Sequence, residues 1–119
     1  MPCVVEYTDE FEEWWNGLHA DAQESVAVVV TLLEERGPLL GFPHTSGIAG
    51  SSFSHMRELR IQHRGDPYRI FYAFDPRRTA LLLLGGCKRG DDRFYERMIP
   101  LADSIYAAHV AEVEGEFPR

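Results

Sequence analysis

Residues 55–87 read HMRELRIQHRGDPYRIFYAFDPRRTALLLLGGC, and this stretch decides the fold. It holds three strand-like runs separated by two turns. Residues 55–63 alternate, with Leu59 and Ile61 on one face and Glu58, Arg60 and Gln62 on the other, the period of a half-buried strand. Arg64-Gly65-Asp66-Pro67 is built of turn residues. Residues 68–74, YRIFYAF, are mostly aromatic and apolar and form the second run. Asp75-Pro76-Arg77-Arg78 places proline at the second position of a turn, where its fixed φ fits. Residues 79–87 do not alternate. Four leucines in a row, Leu81 to Leu84, imply a strand covered on both faces, and they mark it as the central strand. Short turns between the runs predict an antiparallel meander.

Toward the N-terminus, residues 3–7 (CVVEY) read as a further strand. Thr8 offers a helix N-cap, with Asp9 and Glu10 in the first turn, where the helix dipole favours acids. Phe11, Trp14, Trp15 and Leu18 follow at helical spacing, and Asn16-Gly17 ends this short helix. A second helix is expected from Asp21, with Glu24 as capping-box partner and Val26, Val29, Val30 and Leu33 as its buried stripe. Gly37-Pro38 stops it, and the short link predicts a helical hairpin. Residues 38–54, rich in Gly, Pro and Ser, read as a loop. Past the meander, a last helix is expected over about residues 91–110, capped by Asp91. It would be kinked or divided at Pro100, with Phe94, Met98, Leu101 and Ile105 as its apolar stripe. The tail EVEGEFPR is expected to fray.

The order strand, two helices, three strands, helix predicts an α+β fold in one domain over residues 1–119. At 119 residues the chain is long enough for a core without staples, and two cysteines, Cys3 and Cys87, are too few for a disulfide framework. The N-terminal MPCVVEYTDEFEEWW has early acids and no basic start before an apolar stretch, so no secretory signal and a cytoplasmic location are expected. No apolar run reaches bilayer-spanning length, and no membrane partner is expected.

The net charge of −7 is unevenly spread. Residues 1–50 carry nine acids and one base, residues 51–99 ten bases and six acids. Such asymmetry marks either a polyanion partner or two solvated faces.

The candidate chemistry lies in the basic middle. Arg60 and Arg69 fall on strands joined by a tight turn and can share a face. Arg57, Lys88, Arg89 and Tyr95 complete the set. Lys88 and Arg89 leave the leucine-rich strand where the last helix begins, and Tyr95 follows in its first turns. Guanidinium forks match phosphate oxygens, a helix N-terminus adds free amides, and a tyrosine can stack on a base or trade a proton. The alternative is a set of sheet-face ion pairs with Glu58, Asp91 and Asp92. His44, His55 and His63 are possible acid–base groups or solvated side chains, whereas His19 and His109 read as structural. No Cys or His pair has zinc spacing, so neither a metal nor another cofactor is expected. The serines of residues 46–54 lack a nucleophile-elbow pattern and read as loop residues. Gly85-Gly86 lacks the spacing of a phosphate loop.

Glu58-Leu59-Arg60, Tyr68-Arg69-Ile70-Phe71-Tyr72, Lys88-Arg89 and Tyr95, in this order, resemble the RelE/HigB toxins of bacterial type II toxin–antitoxin systems, most nearly the phage-derived HigB-like branch. The resemblance covers about residues 3–110. It implies a RelE-like fold and a ribosome-dependent mRNA endonuclease that works without a metal. Its implied partners are a cognate helix-turn-helix antitoxin, the ribosome and mRNA. By resemblance, Arg69 contacts the scissile phosphate, Arg89 or Lys88 supplies the cation after the last strand, and Tyr95 stacks or transfers a proton. Arg60, with Arg57 beside it, faces RNA or supports the fold. Two other functions fit the same fold: a non-catalytic protein-binding module, and a gyrase-directed toxin resembling ParE.

Overall fold

The computed structural model describes residues 1–116. In chain order the elements are β1 (Val5–Tyr7), α1 (Asp9–Asn16), α2 (Ala20–Arg36), a 3-10 turn (Gly37–Leu39), β2 (Thr45–Gly47), β3 (Arg57–His63), β4 (Asp66–Phe74), β5 (Ala80–Cys87) and α3 (Phe94–Glu116). The strands form one mixed sheet in the order β1-β5-β4-β3-β2. β1 runs parallel to β5 and the other neighbours are antiparallel. The α+β architecture and the expected meander are both present.

The sheet has a core on each face. Phe11, Val26 and Leu33 of the helical hairpin pack on Leu59, Ile70, Tyr72 and Leu82. On the other side, Phe94, Met98, Ala102 and Tyr106 of α3 pack on Phe71, Ala73, Leu81 and Leu83. Two covered faces explain the unbroken leucines of β5. That strand is interior, but β4 occupies the middle position, because β1 adds only one strand beyond β5 while β3 and β2 add two beyond β4. Thr8 ties the layers together. Its hydroxyl accepts from the Phe11 amide at 3.1 Å as the α1 cap and donates to the Leu83 carbonyl at 2.7 Å.

Four further expectations need correction. The segment read as a loop contains β2, whose three residues pair with β3, so the sheet has an extra edge strand. Three residues are too few to show a period. α2 begins at Ala20 with His19 in the cap position, and Asp21 bonds the adjacent Ala22 amide instead of forming a capping box. Pro100 lies inside an unbroken α3. It is exposed, so the Glu96 carbonyl that loses a partner faces the solvent side, and the packing of Phe94, Met98 and Ala102 carries the helix through. Finally, the buried α3 face steps through Phe94, Met98, Ala102 and Tyr106, while Leu101 is 51% exposed. The small Ala102, which lets the helix sit close to the sheet, takes the place assigned to a leucine. Of the tail, Glu112 to Glu116 is helical and residues 117–119 lie outside the described residues.

Candidate functional site: a buried carboxylate ringed by cations

Strand alternation sends Glu58 and Arg60 of β3 to the face covered by α3. The register sets Arg69 of β4 directly opposite Arg60. The first turn of α3 brings Tyr95 over the same spot. Gly86 permits this approach. It is paired with Arg69, and a Cβ there would lie 2.9 Å from the Phe94 ring.

Glu58 is the centre of the cluster and is only 4% exposed. Its Oε1 accepts the Tyr95 hydroxyl at 2.6 Å. Its Oε2 accepts Ser46 Oγ at 2.9 Å and Arg60 Nη1 at 3.2 Å. Arg69 Nε stands 3.6 Å from Oε1, an ion pair beyond hydrogen-bond length. Arg69 Nη1 donates to the Tyr68 carbonyl at 2.9 Å. Its Nε, among the described residues, is buried with no hydrogen-bond partner. Lys88 places its Nζ 5.5 Å from the centre of the Tyr95 ring, a cation–π contact. Burial, followed by the hydrogen bond to Glu58, pushes the Tyr95 phenol above its ordinary pKa against the opposing pull of Arg69, so the phenol is neutral at physiological pH. The arrangement offers guanidinium charge for an anion, a phenol at the rim and a carboxylate behind it.

The structure therefore brings Arg60, Arg69, Tyr95 and Lys88 together. Arg89 stands apart. It is 67% exposed and pairs with Asp66 at 2.8 Å beside the β3–β4 turn. Arg57 lies on the opposite face of the sheet. Its Nε donates to Thr45 Oγ1 at 3.3 Å, and that hydroxyl bonds the Tyr72 phenol at 2.7 Å. The alternation that groups Arg60 with Glu58 must send Arg57 the other way. Asp91 turns from the cluster into the lead-in of α3, where it accepts from the Arg93 amide and pairs with Arg97 at 2.7 Å. The Arg97 hydrogen bond holds its carboxyl below the usual range.

Two members of the cluster went unassigned in the sequence. Glu58 reads there as a salt-bridge partner, and Ser46 as a loop serine. The signal for Glu58 was its i, i+2 spacing to Arg60. Ser46 depends on the pairing of β2, which leaves no mark in the sequence. Of the histidines, His55 bonds the Tyr106 hydroxyl at 2.9 Å and His63 bonds Ser25 at 2.6 Å, both away from the cluster. Gly85-Gly86 serves packing on both faces, since a Cβ at Gly85 would lie 2.3 Å from the Trp14 ring. Trp15 lines an apolar groove of about 420 Å³ between α1, α2 and β1. Among the described residues, no three His, Cys, Asp or Glu side chains are grouped to share a metal, and no helix is long and apolar enough to cross a membrane.

The fold is that of the RelE-type toxins. The structure is similar to a doubly substituted free Escherichia coli RelE, with a TM-score of 0.57 at 14% identity over 82% of this chain and 96% of that one. It is similar also to a chain of the RelBE2 toxin–antitoxin complex of Mycobacterium tuberculosis, with a TM-score of 0.54 at 16% identity over 73% and 99%. At such identities the likeness concerns the fold alone. Sequence carries the assignment further. Residues 13–107 match the model of the phage-derived Gp49-like proteins (DUF891), and the chain belongs to that family. Two M. tuberculosis proteins that carry the toxin names HigB2 and HigB3 are 37% and 45% identical to it. The match covers 99% of this chain and 66% of HigB2, and 89% of this chain and 92% of HigB3. The protein is thus a RelE/HigB-type toxin.

Proposed function

We propose that this toxin is a ribosome-dependent mRNA endonuclease whose site is the Glu58 cluster. The observation that carries the reading is Arg69: a guanidinium buried in the sheet with an unpaired Nε, beside Arg60, Tyr95 and Lys88. A buried donor without a partner costs about 1–3 kcal/mol, more when it is charged, and such a defect suits a site that awaits an anion. In the reaction the ribose 2′-hydroxyl attacks the adjacent phosphate, leaving a cyclic phosphate and a 5′-hydroxyl. Arg69 and Arg60 stabilise the charge that develops on the phosphate oxygens, and the chemistry draws on no metal. Tyr95 sits at the rim to meet the ribose or base, and Lys88 lies against its ring. Arg89 is exposed enough to leave Asp66 and hold a flanking phosphate. Codon pairing on the ribosome would supply the sequence register that a shallow surface lacks.

The partner in this reading is a cognate antitoxin, of the helix-turn-helix type by resemblance, in keeping with the toxin–antitoxin complex among the similar structures. A second reading has its own support. Arg60 and Arg69 already face Glu58, and Arg89 faces Asp66, as in a protein-binding module that does not cut. Primer extension on cellular mRNA after induction separates the readings. Cuts at fixed codon positions support the nuclease. Intact mRNA with broken DNA supports a gyrase-directed toxin, and intact mRNA and DNA support the binding module.

A further inference from the structure

The proposed reaction needs an acceptor for the 2′-hydroxyl proton. Charged Arg60, Arg69 and Lys88 have no lone pair to offer. Glu58 has lone pairs, but the Tyr95 hydroxyl stands on its Oε1 and Ser46 and Arg60 stand on its Oε2, so an incoming 2′-hydroxyl meets Tyr95 first. Tyr95 reaches the rim, and its hydroxyl proton points inward to Glu58 Oε1 at 2.6 Å. That direction leaves the phenol oxygen as an acceptor, which an incoming donor would share with the neighbouring Arg69 guanidinium. Ser46 and Arg60 on Oε2, with Arg69 near Oε1, hold the carboxylate in this orientation.

We propose that Glu58 is the terminal base of a proton relay, taking the phenolic proton of Tyr95 as Tyr95 takes the 2′-hydroxyl proton of the substrate. The inference rests on the nuclease reading. The bond from the 2′-oxygen to phosphorus forms and the bond from phosphorus to the 5′-oxygen breaks. The 2′-proton moves to the Tyr95 oxygen, the phenolic proton moves to Glu58 Oε1, and the 5′-oxygen takes a proton from the Lys88 ammonium. Water then restores Lys88, and Glu58 returns its proton through Tyr95, so the enzyme ends unchanged. Glu58 acts through Tyr95 and is a positioning residue, whereas Tyr95 and Lys88 meet the reacting atoms. The raised phenol pKa agrees with a carrier that never has to ionise in the resting state.

The test is single-turnover cleavage of mRNA on programmed ribosomes by the full chain. Glu58→Gln keeps the shape and an oxygen for the Tyr95 hydroxyl but removes the proton acceptor. It is expected to slow cleavage about 100-fold or more, the ordinary yield of general-base catalysis, with unchanged ribosome affinity. Tyr95→Phe is expected to lose a similar factor, and the double variant no more than either alone, because the two act as one unit. The wild-type rate is expected to fall along a curve as D2O replaces H2O, the mark of several protons in motion, and Glu58→Gln, which removes the phenol-to-carboxylate transfer, should give a flatter curve. If the carboxylate merely clamped Arg60 and Arg69, the curvature would be the same in Glu58→Gln as in wild type. A Glu58→Gln protein that cuts at the wild-type rate or faster, or a straight line for wild type, overturns the relay. If Glu58→Gln does not fold, Tyr95→Phe takes its place in the solvent test: a flatter curve than wild type supports the relay, and an unchanged curve overturns it. A wild-type protein that leaves ribosome-bound mRNA whole overturns the nuclease reading itself, a result distinct from the relay's failure.

Discussion

The two ends of α3 each cover a buried carboxylate, and they differ in how its partners are supplied. Near the C-terminal end, Asp75 has a fully buried side chain. It accepts from the amides of Arg77 and Thr79, from Arg77 Nε and Nη2, and from His109 Nε2 at 2.8 Å. Most of these donors lie within four residues of Asp75, and they lock the β4–β5 turn and fasten α3 to it. At the other end, Glu58 draws on four elements: Ser46 from β2, Arg60 from its own strand, Arg69 from β4 and Tyr95 from α3. That set leaves a buried arginine nitrogen unpaired, with Arg60 and Lys88 half-buried beside it. A buried acid with an arginine is therefore no sign of a site by itself. What separates the two clusters is the donor left over at Glu58 and its absence at Asp75.

Substitutions at each end sharpen this contrast. Arg69→Ala is expected to lose about two to three orders of magnitude in cleavage, the cost of one preorganised donor to a developing anion, measured by single-turnover cutting on ribosomes. Asp75→Ala is expected to do the reverse. Urea melts should show a loss of about 3 kcal/mol as Arg77 and two amides lose their acceptor, with the cleavage rate of the folded fraction unchanged. Gly85→Ala pushes a methyl into the Trp14 ring on the opposite face and is expected to destabilise by about 1–3 kcal/mol in the same melts.

Acid offers a milder probe. Burial pushes the Asp75 carboxyl up, but hydrogen bonds from Arg77, His109 and the Thr79 and Arg77 amides outweigh it, and the folded pKa lies below the usual value. Its contribution is complete above the unfolded pKa of about 3.9 and is lost as pH falls through the lower folded value. Wild-type stability should therefore drop below about pH 4, and an Asp75→Asn protein should drop less over the same range. The smallest expected effect on stability belongs to Arg89→Ala, and its effect on cleavage should fall well short of that of Arg69→Ala. Its exposed pair with Asp66 contributes at most about 1 kcal/mol. A few-fold cleavage loss in the single-turnover assay fits a contact to a flanking phosphate, and an unchanged rate would show that Arg89 stays with Asp66.

Much of the fold was legible because local chemistry and packing agree. Thr8 is the cap that its position promised, and Leu59 and Ile61 face the helical hairpin as their alternation required. The turn at Arg64-Gly65 is tighter than four residues, since Asp66 already pairs with His63. Packing hid the rest. Leu101 looked like core because size was read in place of distance to the sheet, and Ala102 fills that position. Within the site, Arg60, Arg69, Tyr95 and Lys88 were legible as a group. Arg57 and Arg89 were grouped with them by sequence proximity, although strand alternation and a nearer acid take them elsewhere. Glu58 was visible only as a counter-charge, because its role depends on partners from three other elements.

The account stands on RNA phosphate reaching the donors around Glu58. The most direct measurement is the structure of the protein on a ribosome carrying an mRNA with a 2′-deoxy nucleotide at the cut position, which blocks cleavage. The account predicts a phosphate oxygen at about 2.7–3.2 Å from a nitrogen of Arg69 or Arg60, with the neighbouring ribose against Tyr95. A phosphate bound elsewhere, with Arg60, Arg69 and Tyr95 still closed around Glu58, would contradict it.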